Sequence, residues 1–357
     1  MKKIINILVA GAAAIILLPI SYSCTDVGGD GIDSVLWEGS KNPENTSYRN
    51  PVWEPSLEAG TLLKGSSMYV ALSATTQWTT GLTNYCPALT SGNLMTWSRA
   101  NDGFNSDALP TWGEGRINSL SADYARLNRV QFFLFYTLEG SNSIGYAAAS
   151  SGQGPYTDKG ELLTAEELGV TSLQDPFFIV VATNYYLCYT TEEGTYIQKV
   201  TLRGNTVPAA TVSLSGKPTK IASTGDVAVY RKAADDVYLF TTVKNGDKTE
   251  IRYGRASTIT GPYLDKQGAS LADGSTGELL IEGGSDIINP ENPMRAFLNS
   301  EGNLLYVAYN ATEAGNAQMK SGSARKPMFV SPVEFGEDGW FKASVTAQKG
   351  WTSPRFE

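Results

Sequence analysis

The sequence predicts an all-β fold, a five-bladed β-propeller, on three observations. First, five strand-like runs share one pattern: Met68-Tyr-Val-Ala-Leu-Ser73, Phe132-Phe-Leu-Phe-Tyr-Thr137, Tyr185-Tyr-Leu-Cys-Tyr-Thr190, Val237-Tyr-Leu-Phe-Thr-Thr242 and Leu305-Tyr-Val-Ala-Tyr-Asn310, with successive starts 64, 53, 52 and 68 residues apart. Second, Tyr146-Ala-Ala-Ala-Ser-Ser-Gly-Gln-Gly-Pro-Tyr156 is echoed by Tyr253-Gly-Arg-Ala-Ser-Thr-Ile-Thr-Gly-Pro-Tyr263, 107 residues or two periods later, and Asp158-Lys159 and Asp265-Lys266 continue the match. Third, turn chemistry punctuates the runs at Gly154-Pro155, Asn245-Gly246, Gly261-Pro262, Glu301-Gly302-Asn303 and Asp338-Gly339. A sheet-rich unit repeated at this length buries its faces only against its neighbours, which is the propeller arrangement.

Each blade can be bounded in turn. Blade one spans about Trp53 to Phe104, blade two Asn118 to Leu163, blade three Gln174 to Ser223 and blade four Gly225 to Leu280. Blade five starts near Asn292 and ends with Arg325 to Pro332 and Glu337-Asp-Gly-Trp340. Thr164-Ala-Glu-Glu-Leu168 reads as a short N-capped helical turn. Val35-Leu36-Trp37 and the strand after Asn50 are candidates to close the ring against the last blade.

The segment before the repeats is of another kind. Lys2-Lys3, the mostly apolar run Ile4 to Ile20 and Ser21-Tyr22-Ser23-Cys24 have the order of a secretion signal. Cys24 stands where a bacterial lipoprotein is cleaved and acylated; the plainer alternative is an ordinary signal peptide that contains a cysteine. The expected division is a lipoprotein signal peptide over residues 1–23, a flexible lipid-anchored linker over 24–49 and one propeller domain over 50–357. Cys86 and Cys188 lie in or beside strand-like runs and read as small buried hydrophobes.

Composition excludes several chemistries. The net charge is −8 with no basic cluster past the signal, which argues against a nucleic-acid partner. The chain has no histidine. That removes Ser-His-Asp and Cys-His catalysis in their usual forms and every histidine-containing zinc site. No nucleotide-binding glycine motif is present, no cofactor is expected, and a monomer is expected. Carboxylate chemistry remains. Glu54 in Trp53-Glu-Pro-Ser-Leu57, Asp175 in Gln174-Asp-Pro-Phe-Phe178 and Asp226 in Thr224-Gly-Asp-Val-Ala-Val229 each stand just before the inner strand of a blade. Inner strands of a propeller start around one axial opening, so these acids are expected to converge. Convergent carboxylates suit glycoside hydrolysis: one protonated to donate to the leaving oxygen, one ionised to activate water, and a third to raise the donor's pKa. The plainer readings are a strand-start carboxylate for Glu54, a hydrogen-bonding funnel residue for Asp175 and a turn residue for Asp226. Trp53, Trp78, Trp112 and Arg295 are candidate substrate contacts; packing roles and a surface ion pair are their alternatives.

At these residues the chain resembles glycoside hydrolase family 43, five-bladed propellers of arabinan and xylan breakdown. Asn50-Pro-Val-Trp-Glu-Pro-Ser-Leu57 before Met68-Tyr-Val resembles the family's opening Asp-Pro strand, and Ser91-Gly-Asn-Leu-Met-Thr-Trp97 its S-x-D-L-x-x-W. Leu120-Ser-Ala-Asp123 resembles its W-A-P-D, Gln174-Asp-Pro-Phe-Phe178 its D-P-x-x-F, and Arg325 through Trp340 its closing G-R and D-G-W. The resemblance implies inverting hydrolysis of an arabinan- or xylan-like polysaccharide, with Glu54 as base, Asp226 as acid and Asp175 as pKa modulator. The sequence departs from the family by carrying Glu54 where the base is aspartate, Asp226 where the acid is glutamate, and no axial histidine in blade five. A structural calcium ion follows by analogy only; no oxygen-ligand loop argues for one. Rival readings are a catalytically impaired glycan-binding propeller and a protein-docking platform.

Overall fold

The computed structural model describes residues 47–352 except 66–67 and 205–209. The expected signal peptide, Cys24 and Val35-Leu36-Trp37 lie outside the described residues. The fold is the expected five-bladed propeller. Blade one is built from Thr61–Lys64, Tyr69–Leu72, Pro87–Ser91 and Ser98–Asp102. Blade two is built from Ile117–Arg126, Val130–Leu138, Ser143–Ala149 and Thr157–Thr164. Blade three uses Gln174–Val181, Asn184–Thr191, Gly194–Arg203 and Thr211–Ala222, and blade four Val227–Ala233, Asp236–Asn245, Lys248–Ala256 and Glu278–Glu282. Blade five uses Ile287–Leu298, Leu304–Glu313 and Met328–Glu334. Within these blades the four or three strands pair antiparallel in sequence order.

The recurring runs are the second strands, and their apolar character follows from burial on both faces. Along Phe132 to Tyr136, Leu134 and Tyr136 pack toward blade one with Leu72 and Cys86. Phe133 and Phe135, pointing the other way, pack toward blade three with Phe178 and Leu187. The period of two therefore fills two separate inter-blade cores, so no polar alternation is visible. In blade five, Tyr306 and Ala308 face blade one while Leu305, Val307 and Tyr309 face blade four. Each such side chain taken fully out of water contributes on the order of 2 kcal/mol. Cys86 and Cys188 are free and buried in these cores, and Thr164 caps Ala165–Leu168 with a complete capping box.

First strands line the axis, where they splay too far apart to form a ladder. Hydroxyls bridge them instead. Thr61 Oγ1 accepts from the Ala122 N–H (3.4 Å) and Ser121 Oγ from the Phe178 N–H (2.9 Å), while Thr242 Oγ1, near the end of blade four's second strand, accepts from the Asn292 N–H (2.9 Å).

The chain closes its own ring. The Val52 N–H donates to the Met328 carbonyl at 2.8 Å, and Trp53 forms a bridge to the same residue. The strand after Asn50 thus edges the last blade, as expected. Asn50 donates through Nδ2 to the Val330 carbonyl (2.8 Å) and accepts the Val330 N–H at Oδ1 (3.0 Å). Tyr48 donates to that same carbonyl at 2.8 Å. Asn50 is 4% exposed, so its loss strands partners that water cannot reach. Asn50→Ala is expected to cost about 1–3 kcal/mol, read as a lower urea midpoint at unchanged m-value. A change within about 0.5 kcal/mol would mean that the closure rests elsewhere.

Candidate active site

Four inner strands carry a residue in the left-handed backbone region: Ala59 (φ 39°) and Asp226 (φ 50°) just before their strands, Asp175 (φ 51°) at the second position of its strand, and Asn292 (φ 47°) inside Ile287–Leu298, where the pairing shifts register. They occupy matching places. Phe177 pairs with Cys188 as Ala228 pairs with Phe240 and Thr61 with Leu72, which puts Asp175, Asp226 and Ala59 in register. Aspartate and asparagine tolerate this conformation better than most residues. The kink turns each corner residue inward at one mouth of the ring.

These corners enclose a cavity of about 180 Å³, whose polar wall includes Glu58, Asp175, Asp226, Glu291, Asn310 and Lys326. Asp175 is held by its own N–H, which donates to Ser119 Oγ at 3.1 Å. Gly225 keeps the adjoining wall open; a Cβ there would lie 3.0 Å from Thr190 and 3.4 Å from Asp175 Oδ2. Asn310 ties the rest together. Its Nδ2 donates to the carbonyls of Leu57 (3.1 Å) and Lys326 (2.9 Å), while its Oδ1 accepts from Asn292 Nδ2 at 2.7 Å.

The electrostatics are those of crowded acids with one cation. Burial, then the charge of Asp226, pushes the Asp175 carboxyl up to about 8. Burial and the negative charge of Glu291 raise Asp226, against a hydrogen bond from Thr242 and the charge of Lys326. Burial also raises Glu58, opposed by Lys326 and reinforced by Glu291. Lys326 is ion-paired with Glu291. Two neighbouring carboxyls that both resist ionising hold a proton into the neutral range, and their titration belongs to the pair.

Of the three acids read from the sequence, Asp175 and Asp226 meet in this cavity and Glu54 does not. Glu54 forms an ion pair with Arg325 at 3.0 Å, and Arg325 also binds Glu313 at 2.5 Å, in a nearly buried cluster behind the wall. The Glu54-Pro55 pair imitates the Asp175-Pro176 corner, but blade one turns its corner five residues later, at Ala59. Glu58, beside Ala59, is the carboxylate that blade one supplies. Counting back from the Met68 run at the spacing found in blade three would have located it. Glu291 and Lys326 carried no such signal, because they meet only through folding.

The candidate sugar contacts are corrected as well. Trp53 and Trp78 are each 4% exposed and pack together with centroids 5.8 Å apart, and Trp78 Nε1 donates to the Ser56 carbonyl at 3.0 Å. Trp112 packs on Tyr136 at 5.3 Å. Trp53 and Trp78 fill an inter-blade core, Trp112 packs half-buried against another, and none lines the cavity. Arg295 lies farther along the axis, paired with Asp123 at 2.8 Å and over the Phe177 ring at 5.9 Å. That guanidinium already neutralises Asp123, and among the described residues no group of three or more His, Cys, Asp or Glu side chains is placed to hold a metal ion.

Comparison with known proteins agrees with this architecture. A family model described as glycosyl hydrolases family 43 matches residues 48–341. No curated protein matches the sequence. Among solved structures, the Cellvibrio cellulosa α-L-arabinanase complexed with arabinohexaose superposes with a TM-score of 0.61 at 16% identity, covering 83% of this chain and 100% of that one. The native Bacillus subtilis arabinanase gives 0.58 at 22% identity, covering 81% and 98%. A xylan β-1,4-xylosidase from Bacillus halodurans gives 0.61 at 15%, covering 86% of this chain and 60% of that one. With the family model spanning the ring from its first closing strand to the last blade, the chain belongs to glycosyl hydrolases family 43.

Proposed function

We propose that the protein is a glycosidase that hydrolyses arabinan- or xylan-type plant polysaccharide with inversion at the anomeric carbon. One observation carries the reading: Glu58, Asp175 and Asp226 line a single small cavity in which a proton is retained by two crowded carboxyls while a lysine stands near the third. Asp226 is the general acid and gives its proton to the leaving oxygen. Asp175, whose own carboxyl is raised by burial and by the charge of Asp226, shares the retained proton with that acid and orients the sugar. Glu58, its charge favoured by Lys326, takes a proton from the attacking water on the opposite face; this role replaces the one expected for Glu54. Such an inverting pair works at roughly 6.5–9.5 Å separation, which leaves room for the water. Membership of the family and the arabinanase and xylosidase likenesses support the substrate class. The leader sequence supports cleavage before Cys24, acylation there and a cell-envelope location, with residues 24–49 as tether and 50–357 as the working domain.

One feature favours a second reading, a glycan-binding propeller without turnover. Blade one places Ala59 at the corner where blades three and four place aspartate, so its carboxylate comes from the preceding residue. Hydrolysis of aryl arabinofuranosides and xylosides separates the two. Glu58→Gln, Asp175→Asn and Asp226→Asn are each expected to lose about 10²- to 10⁴-fold in kcat/KM. Glu54→Gln keeps kcat/KM within about threefold and lowers thermal stability, since it breaks a nearly buried ion pair. Full activity in Glu58→Gln would remove the base assigned here, and sugar binding by the wild type with no turnover would favour the binding reading.

The pH profile gives a second check. The general acid must hold a proton, so kcat/KM is expected to fall as pH rises and the pair loses its shared proton, of which the Asp175 member is pushed up to about 8. Asp175→Asn removes the like charge that resists the last ionisation. Its residual activity should therefore lose its alkaline limb at a lower pH than the wild type. An unmoved limb would show that Asp175 does not tune the acid.

A further inference from the structure

A second cavity, of about 280 Å³, opens at the same mouth of the ring between blades two and three. It adjoins the first along the chain: Asn118 lines it where Ser119 lines the carboxylate cavity, and Gln174 lines it where Asp175 lines the other. A hydrogen-bonded path joins them. Thr137 in the second cavity bonds Ser119 hydroxyl to hydroxyl at 2.8 Å, and Ser119 Oγ accepts the Asp175 N–H.

The walls of this cavity are polar and uncommitted. Among the described residues, the side chains of Asn118, Asn142 and Gln174 make no hydrogen bond within the protein, and all three are exposed. Ser141 Oγ, buried in the same wall, has no partner either. Glu139 adds a carboxylate that is paired with Arg116 at 3.1 Å. No aromatic ring and no cationic side chain lines the space, so neither an apolar ligand nor an anion is matched. Amides, a hydroxyl and a carboxylate together offer donors and acceptors in the mixture that a neutral polyhydroxylated ligand needs.

We propose that this cavity is a sugar-binding subsite that holds a neighbouring residue of an extended neutral glycan whose scissile bond lies at the carboxylates. The proposal rests on the glycosidase reading for what the first cavity does, but it makes its own claim: affinity grows with chain length, and blades two and three supply the gain. Recognition here is by hydrogen bonds rather than by stacking, since no aromatic residue lines the cavity.

The test is isothermal titration of linear arabino- and xylo-oligosaccharides of two to six residues, alongside turnover of 4-nitrophenyl α-L-arabinofuranoside and β-D-xyloside. The proteins compared are the wild type and Asn118→Ala/Asn142→Ala, both changes at exposed side chains. The wild type is expected to bind longer oligosaccharides more tightly. The double variant loses about 10-fold in affinity for the longer members, the size expected for two lost hydrogen bonds. It keeps turnover of the aryl monoglycosides within about twofold. Aryl turnover with unchanged length dependence in the variant would overturn the subsite and leave the glycosidase reading standing. Length-dependent binding abolished in the variant, with no turnover by the wild type, would sustain the subsite and overturn hydrolysis. An absence of oligosaccharide binding by the wild type would overturn the subsite.

Discussion

The structure depends on a backbone constraint near the axial end of four of the five inner strands. A propeller blade must enter the axis, stop and run outward, and the entering chain makes that change of direction in about two residues. In blades one, three, four and five a left-handed residue does it. For a residue other than glycine this conformation costs on the order of 1 kcal/mol, and it persists only where the surroundings determine it. Here they do: the Asp175 N–H is fixed by Ser119, the Asn292 N–H by Thr242, and the Asn292 side chain by Asn310. A turn that geometry requires is thereby filled with residues whose side chains are acids or amides, and the closed ring aims them at one point.

Crowding follows from that aim, and chemistry follows from crowding. Asp175 and Asp226 come from blades three and four, Glu291 from blade five and Glu58 from blade one, and only Lys326 lines the same cavity with opposite charge. Four ionised groups in so small a volume would repel strongly, so the buried pair keeps a proton. The lysine lies nearer in effect to Glu58 and Glu291 than to Asp175, whose shift shows no contribution from it. Lys326 also opposes the rise of Asp226, so what sets Glu58 apart from the proton-holding pair is the crowding of Asp175 against Asp226. Arg325 belongs to a separate layer. Its guanidinium neutralises Glu54 and Glu313 behind the wall and holds the first blade to the last.

The repeat made the fold legible, because each middle strand must be apolar on both faces and so leaves the same short signature five times. Blade limits, the Thr164 cap and the strand that closes the ring could be read the same way. Asp175 and Asp226 were legible because each directly precedes a strand whose partner run is obvious. Glu54 misled because proline follows it, and a dipeptide is a weaker guide than strand register; Thr61 pairing with Leu72 is what fixes Ala59 at the corner and Glu58 beside it. The tryptophans misled for a related reason. A large ring suits a sugar face and an inter-blade core equally well, and composition does not say which way a strand residue points. Glu291 and Lys326 stand 35 residues apart and meet only once blade five is folded.

The central claim is that ring closure forces Asp175 and Asp226 to share a proton near neutrality. Carbon-13 carboxyl NMR of aspartate-labelled protein, titrated from pH 3 to 10 and assigned with Asp175→Asn and Asp226→Asn, measures this directly. The account predicts two aspartate resonances that move together, with the last ionisation near pH 8. Independent titration of both groups near the ordinary aspartate value of about 4 would contradict it.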